Sequence, residues 1–231
     1  MTDASRRSSG AERQRESSGQ GPDGSIRQVI PLLLVRHGQS VANLERRLCG
    51  QTDVELTDLG RRQACEAAGQ VVEMLAGRPS MLISSDLLRA QQTAELIAVR
   101  LGVQTKLEPA LREQYFGTME NLPFDQLVPE HAAREHESEV RWGGGESLTD
   151  VQARLMPLLR RLSDDFDGPR PPAIVLVGHG NCLHVLLATL QGRSHREVAW
   201  GTIANAQVIP AELDAYLLPS VPPSRTHEAG R

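Results

Sequence analysis

Twice along this chain an unbroken apolar run ends in a histidine and a glycine: Leu32-Leu33-Leu34-Val35-Arg36-His37-Gly38 and Ile174-Val175-Leu176-Val177-Gly178-His179-Gly180. Short apolar runs of this kind are strands buried on both faces, as in a parallel sheet covered by helices. In open α/β sheets ligands bind just beyond the carboxyl ends of such strands. Two of them therefore bring two histidines to one sheet edge. Either histidine alone could merely follow a strand; the pair is what argues for a site. Arg36 supplies a planar, always charged fork suited to phosphate oxygens. His37 is a nucleophile that works near neutral pH, and Gly38 lets the backbone turn sharply beside an anion. The combination points to phosphoryl chemistry on His37.

The rest of the chain alternates strand-like and helix-like segments. Thr57 caps a helix whose apolar stripe is Ala64, Ala67, Ala68, Val71, Val72 and Leu75, stopped by Gly77 and Pro79. Met81–Ile83 reads as a strand, followed by a helix capped by Ser85 or Asp86 with Leu87, Ala90, Ala94, Ile97, Ala98 and Leu101 inward. Arg89 falls in the first turn of that helix, where a cation opposes the helix dipole unless an anion is near. Val103–Leu107 is a third strand. Glu113 follows in a polar and aromatic loop from which a carboxylate can reach the pocket. Residues 117–141 are acidic and weakly periodic, and Gly143-Gly144-Gly145 signals a hinge or a close backbone approach. Ser147 and Asp150 form a capping box before a helix burying Val151, Leu155, Leu158, Leu159 and Leu162; Pro157 predicts a kink or break in it. The strand bearing His179 leads to a helix with Leu183, Leu186, Leu187 and Leu190, and residues 206–209 and 215–218 read as closing strands. This alternation predicts an α/β fold, a three-layer α/β/α sandwich with a mostly parallel central sheet.

Composition bounds the alternatives. Only 39% of the 231 residues are apolar, because residues 1–27 are rich in Ser, Gly, Gln and Arg, too polar to offset their ordering entropy. They are expected to be a disordered tail, as are residues 219–231, leaving a single domain over 28–218. A net charge of -4 leaves no basic footprint for nucleic acid. No apolar run is long enough to span a membrane. Cys49, Cys65 and Cys182 have no metal-ligand spacing and fit a reducing, cytoplasmic setting.

Leu33-Val35-Arg36-His37-Gly38, Asn43, Leu56-Thr57-Gly60, Ser84-Ser85-Asp86 with Arg89, Glu113 and Val177-Gly178-His179-Gly180 together resemble the histidine phosphatase superfamily, the phosphoglycerate mutase-like group, and within it the branch of small phosphatases. The resemblance runs in order from about Leu32 to Leu190. Gln39 departs from it, standing where many members carry Glu. The resemblance implies that His37 is transiently phosphorylated. It also implies that Arg36, Arg89 and His179, with Asn43 and Gly180 as lesser contacts, bind the phosphoryl group, and that Glu113 is the proton donor. Phosphoryl transfer has a loose transition state, so positioning and charge carry the catalysis. Two guanidiniums and an imidazole supply these without metal or cofactor. His37 must attack as the neutral imidazole, its tautomer set by a hydrogen bond from the other nitrogen, for which a backbone carbonyl near Gly38 is the expected partner. The expected activity is hydrolysis of a small phosphomonoester such as a sugar phosphate. Mutase-type transfer is the alternative, and a non-catalytic phosphate-binding module a remote one. The acidic balance of residues 117–141 favours hydrolysis, since such a lid repels a carboxylate. Neither nucleic acid nor membrane is an expected partner, and a homodimer is left open.

Overall fold

The computed structural model describes residues 29–127, 139–166, 170–194, 203–214 and 217–218. The two expected tails and residues 128–138 of the acidic lid segment lie outside the described residues. Five strands form one sheet in the order β3-β2-β4-β1-β5. At its centre β1 (Val29–Arg36) and β4 (Ala173–Gly178) run parallel, with Leu34 opposite Leu176 and Arg36 opposite Gly178. Next to β4 lies β2 (Ser80–Ser84), also parallel, and beyond it the short β3 (Thr105–Leu107). β5 (Val208–Asp214) pairs antiparallel with β1 and closes the other edge.

Side chains alternate across a strand, so each central strand feeds two cores. The single turn α1 (Val41–Leu44) follows β1; Leu33, Val35, Val175 and Val177 pack under α2 (Asp58–Leu75) and α3 (Leu88–Leu101), against Ala67, Val71, Ala90, Ala94 and Ile97. Leu32, Leu34, Ile174 and Leu176 pack on the opposite face under α4 (Leu148–Asp164) and α5 (Gly180–Leu190), against Leu155, Leu159, Leu183 and Leu186. The three-layer sandwich is as expected. Thr57 caps α2 by accepting from the Gly60 amide, and Ser147 with Asp150 forms the capping box of α4.

Several details differ from expectation. Pro157 does not break α4; it and Ala153, the carbonyl it leaves without a donor, are both exposed, so water serves that oxygen. Val72 lies off the inward face of α2 and is 40% exposed. Among the described residues there is one closing strand: residues 217–218 are not in a strand, and 215–216 lie outside the described residues. Pro210 within β5 is tolerated because β5 is an edge strand, where a missing N–H need not break a ladder.

The turn after β1 is shaped by two glycines. A Cβ on Gly38 would lie 2.3 Å from the Gly60 carbonyl oxygen, and one on Gly60 would lie 2.0 Å from the Gln39 carbonyl oxygen. The N-terminal turn of α2 thus presses directly on the loop carrying His37. Gly60→Ala, which in an open helix would stabilise, should here destabilise by about 1–3 kcal/mol through overpacking. Gly69→Ala in the same helix, where nothing lies within 4 Å of the new Cβ, should stabilise by about 0.5–1 kcal/mol. Chemical denaturation of both variants checks the opposite signs.

Candidate active site

The β1–β4 register sets the site. His37 and His179 follow adjacent strands, the His37 amide donates to the Gly178 carbonyl (3.0 Å), and the two rings lie 5.1 Å apart between centroids. His37 Nδ1 is 2.6 Å from the Gly38 carbonyl oxygen. Only a donor can make that bond, so the proton sits on Nδ1 and the lone pair on Nε2. This is the carbonyl partner the sequence reading asked for. Burial, with Arg89 and Arg36 adding to it, pushes the His37 imidazole well below its ordinary pKa; the Gly38 bond opposes this more weakly. Burial does the same to His179, reinforced by Arg89 and the neighbouring His37.

Arg89, the second residue of α3, is only 1% exposed. Its Nη2 donates to the Gly50 carbonyl (2.7 Å), its Nη1 to the Thr52 carbonyl (3.0 Å), and its Nε faces His37 Nε2 at 3.3 Å. A buried guanidinium held by neutral carbonyls keeps its charge uncompensated, a setting made for an anion. Neither Ser85 nor Asp86 is the N-cap of α3. That position is Leu87, and Asp53 accepts from the Leu88 amide (2.8 Å). Ser85 accepts weakly from the Leu87 amide (3.3 Å) and bonds His179 Nε2 (2.8 Å). Asp86 forms a two-point pair with Arg112 (2.7 and 2.6 Å), whose hydrogen bond holds its carboxyl below the usual range.

Among the described residues, two buried side-chain polar atoms have no hydrogen-bond partner: Arg36 Nε and His179 Nδ1. Such orphans are costly and call for a missing partner. Arg36, His37, Asn43, Arg89, Glu113 and Gly180 line one cavity of about 330 Å³. Arg36 also donates through Nη1 to the Ile203 carbonyl. Asn43 takes part in a capping box with Ser40, and its Oδ1 accepts from the Ser40 amide (3.1 Å) and from Asn205 (3.1 Å). What it can offer an anion is therefore its Nδ2.

Glu113 sits against the N-terminus of α5. Its Oε1 accepts from the Gln114 and Cys182 amides (2.9 and 3.1 Å) and its Oε2 from the Asn181 amide (3.3 Å). Arg154 on α4 straps the segment behind it. That guanidinium donates to the carbonyls of Ala110, Arg112 (2.7 Å) and Glu113 (3.0 Å) and pairs with Glu146 (3.0 Å), which itself accepts from the Tyr115 amide (3.0 Å). Gly117, Gly143 and Gly145 allow two backbone segments to touch here: a Cβ on Gly145 would lie 2.0 Å from the Tyr115 carbonyl oxygen. The glycine run is a close approach. Glu120, one of the acids counted toward a repulsive lid, instead accepts from the Gln51 amide (2.6 Å) and Thr52 hydroxyl (2.7 Å).

The sequence reading missed Asn205, Arg154 and Glu146. Asn205 donates to the His37 carbonyl (3.2 Å) and to Asn43, and the Ala206 amide donates to the same carbonyl (3.1 Å). No spacing announced it. Arg154, half-buried on a helix of otherwise regular amphipathic pattern, was the one visible signal.

A sequence profile of the histidine phosphatase superfamily (branch 1) matches residues 32–216. A probable phosphoglycerate mutase GpmB of Yersinia pestis (strain Pestoides F) is 37% identical over 169 residues, covering 71% of this chain and 76% of its own. A mycobacterial glucosyl-3-phosphoglycerate phosphatase, solved with VO3, superposes with a TM-score of 0.70 at 31% identity, covering 78% of this chain and 90% of that one. A protein of Thermus thermophilus, TTHB049, is 33% identical with a TM-score of 0.58, over 78% and 92% of the two chains.

Both buried imidazoles have folded pKa values below the ordinary 6.5. Below that pH the unfolded chain binds protons that the folded chain refuses. Their contribution to stability is thus complete above about pH 6.5 and lost as pH falls from there toward the folded values. Thermal unfolding midpoints should drop between about pH 7.5 and about pH 5.5, and a His37→Asn/His179→Gln variant should show a flatter dependence over that window.

Proposed function

The chain belongs to the histidine phosphatase superfamily, and within it we propose a phosphomonoester hydrolase that works through a phosphohistidine on His37. The lone pair of His37 Nε2 attacks phosphorus and the ester P–O bond breaks on the opposite side. Arg36, Arg89 and His179 hold the three equatorial oxygens, with Asn43 Nδ2 and the Gly180 backbone assisting. Glu113 gives its proton to the departing alkoxide. In the second half-reaction Glu113, now a carboxylate, takes a proton from water, whose oxygen attacks the phosphohistidine, and phosphate leaves. The observation that carries this reading is the pair of buried orphans, Arg36 Nε and His179 Nδ1, beside a histidine whose lone pair is already on Nε2. An anion with several acceptor oxygens gives both a partner. Retention of the lone pair beside two guanidiniums is what a nucleophile needs and a mere binding module does not.

Hydrolysis is favoured over mutase transfer by what lies outside the phosphate clamp. A mutase must also hold the acidic body of its substrate. Arg47, the one guanidinium on the described cavity wall besides Arg36 and Arg89, is already engaged by Glu45 (2.7 Å from Nε) and Asn121 (2.9 Å). The name of the Yersinia relative supports the mutase reading, and the name of the mycobacterial neighbour supports the phosphatase.

Brief incubation with a phosphomonoester should label His37 with acid-labile, base-stable phosphate, followed by release of inorganic phosphate. Rapid interconversion of 3- and 2-phosphoglycerate in the presence of a bisphosphoglycerate primer, with little free phosphate, would overturn the hydrolase reading. Glu113→Gln should slow alkyl phosphates by about 10²-fold or more and aryl phosphates far less, because an aryl oxide leaves without help. Equal losses on both would make Glu113 structural. Among the described residues no group of three or more His, Cys, Asp or Glu side chains is arranged to hold a metal ion. Turnover should accordingly persist unchanged in EDTA; loss restored by magnesium would contradict the mechanism.

A further inference from the structure

Next to the phosphate cavity lies a second one, of about 290 Å³, lined by Leu48, Phe116, Leu127, Trp142 and Leu148 with the amides of Gln114 and Asn181. The two cavities share Leu48, Phe116 and Asn181 as common walls. We propose that this compartment receives the alcohol half of the substrate, and that the enzyme is selective for phosphomonoesters of apolar alcohols. The inference rests on the hydrolase reading for what happens to the ester, but the binding preference stands apart from it.

Three observations converge. First, the position is right. Glu113 lies on the wall of the phosphate cavity, its neighbour Gln114 on the wall of the second, and Glu113 is bonded to the amide of Asn181, which lines both. A leaving oxygen that takes its proton from Glu113 has its carbon chain directed past Phe116 and Asn181. Second, the described walls carry no charged side chain. A carboxylate or second phosphate placed there would lose its water without gaining a counter-ion, which costs several kcal/mol. Third, the two polar side chains are largely turned on each other: Asn181 Nδ2 donates to Gln114 Oε1 (2.8 Å), and Gln114 Nε2 donates to the Glu146 carbonyl (2.7 Å). What they leave on the described wall is chiefly the surface of Leu48, Phe116, Leu127, Trp142 and Leu148.

Straight-chain alkyl phosphonates and phosphates test this without confusion from leaving-group acidity, which is nearly constant along the series. Calorimetric affinity for ethyl, butyl and hexyl phosphonate, which cannot be hydrolysed, should rise by about threefold per added methylene until the compartment is full. Leu127→Asp should flatten that rise, and Phe116→Ala should shallow it, in each case read as the hexyl-to-ethyl ratio. A flat or falling affinity with chain length in the unmodified protein overturns the subsite. So does a carboxyalkyl phosphonate that binds more tightly than its alkyl counterpart of equal length, or a rise that Leu127→Asp and Phe116→Ala both leave intact. Phosphate release from hexyl phosphate reads the other question. If the affinity rises but no phosphate is released, the hydrolase reading fails and the subsite stands; release with a flat series means the reverse.

Discussion

Everything at this site hangs from one pairing, the parallel register of β1 on β4. Arg36 opposite Gly178 puts the two histidines one residue beyond matched positions, and the His37 amide closes onto the Gly178 carbonyl. A slip of one residue would turn every side chain of β1 to the other face, moving Leu33 and Val35 out of one core and Leu32 and Leu34 out of the other. The hydrophobic layers therefore enforce the alignment of the two histidines at the sheet edge. Packing energy spread over two cores holds a geometry that no contact among the histidines themselves could maintain.

Around that edge the electrostatics are arranged to want an anion. Arg89 is buried yet bonded only to neutral carbonyls and faces the imidazole lone pair; Arg36 and His179 each keep a buried atom without a partner. Both imidazoles are kept uncharged by burial and by these cations. On its own that arrangement is a cost, since buried charge and orphaned polar atoms both raise the free energy of the fold. In the proposed function a phosphoryl dianion relieves each of them at once, and the features that weaken the protein at mildly acidic pH are the ones that select its ligand.

Glu113 is handled differently. It is placed by its own backbone, which Arg154 and Glu146 tie to α4, while its carboxylate rests on the first amides of α5. Two helices on one face of the sheet thereby converge on a single side chain. Of the acidic segment beyond it, Glu120 is folded into hydrogen bonds with the Gln51 amide and the Thr52 hydroxyl. The proposed preference for hydrolysis rests on the engaged state of Arg47.

Periodicity and capping made the sandwich legible in advance. Apolar runs, Thr57, the Ser147–Asp150 box and the two His-Gly strand ends are signals carried within a few residues, and the structure places the two central strands and the main helices where they indicated. Even Arg89 announced itself, by standing where a helix dipole disfavours it. The corrections came where a neighbour in space outweighed local chemistry: Asp53 reaches across to cap α3, and solvent rescues Pro157 in α4. What only the tertiary structure decided is the support of the site: Asn205 on the His37 carbonyl across 168 positions, Arg154 on three carbonyls about 41–44 positions away, and the apolar compartment assembled from four separate segments. These partners are mostly backbone carbonyls, which every residue possesses alike. A sequence can show which side chains are available to donate; which carbonyl the fold brings within reach leaves no mark in it.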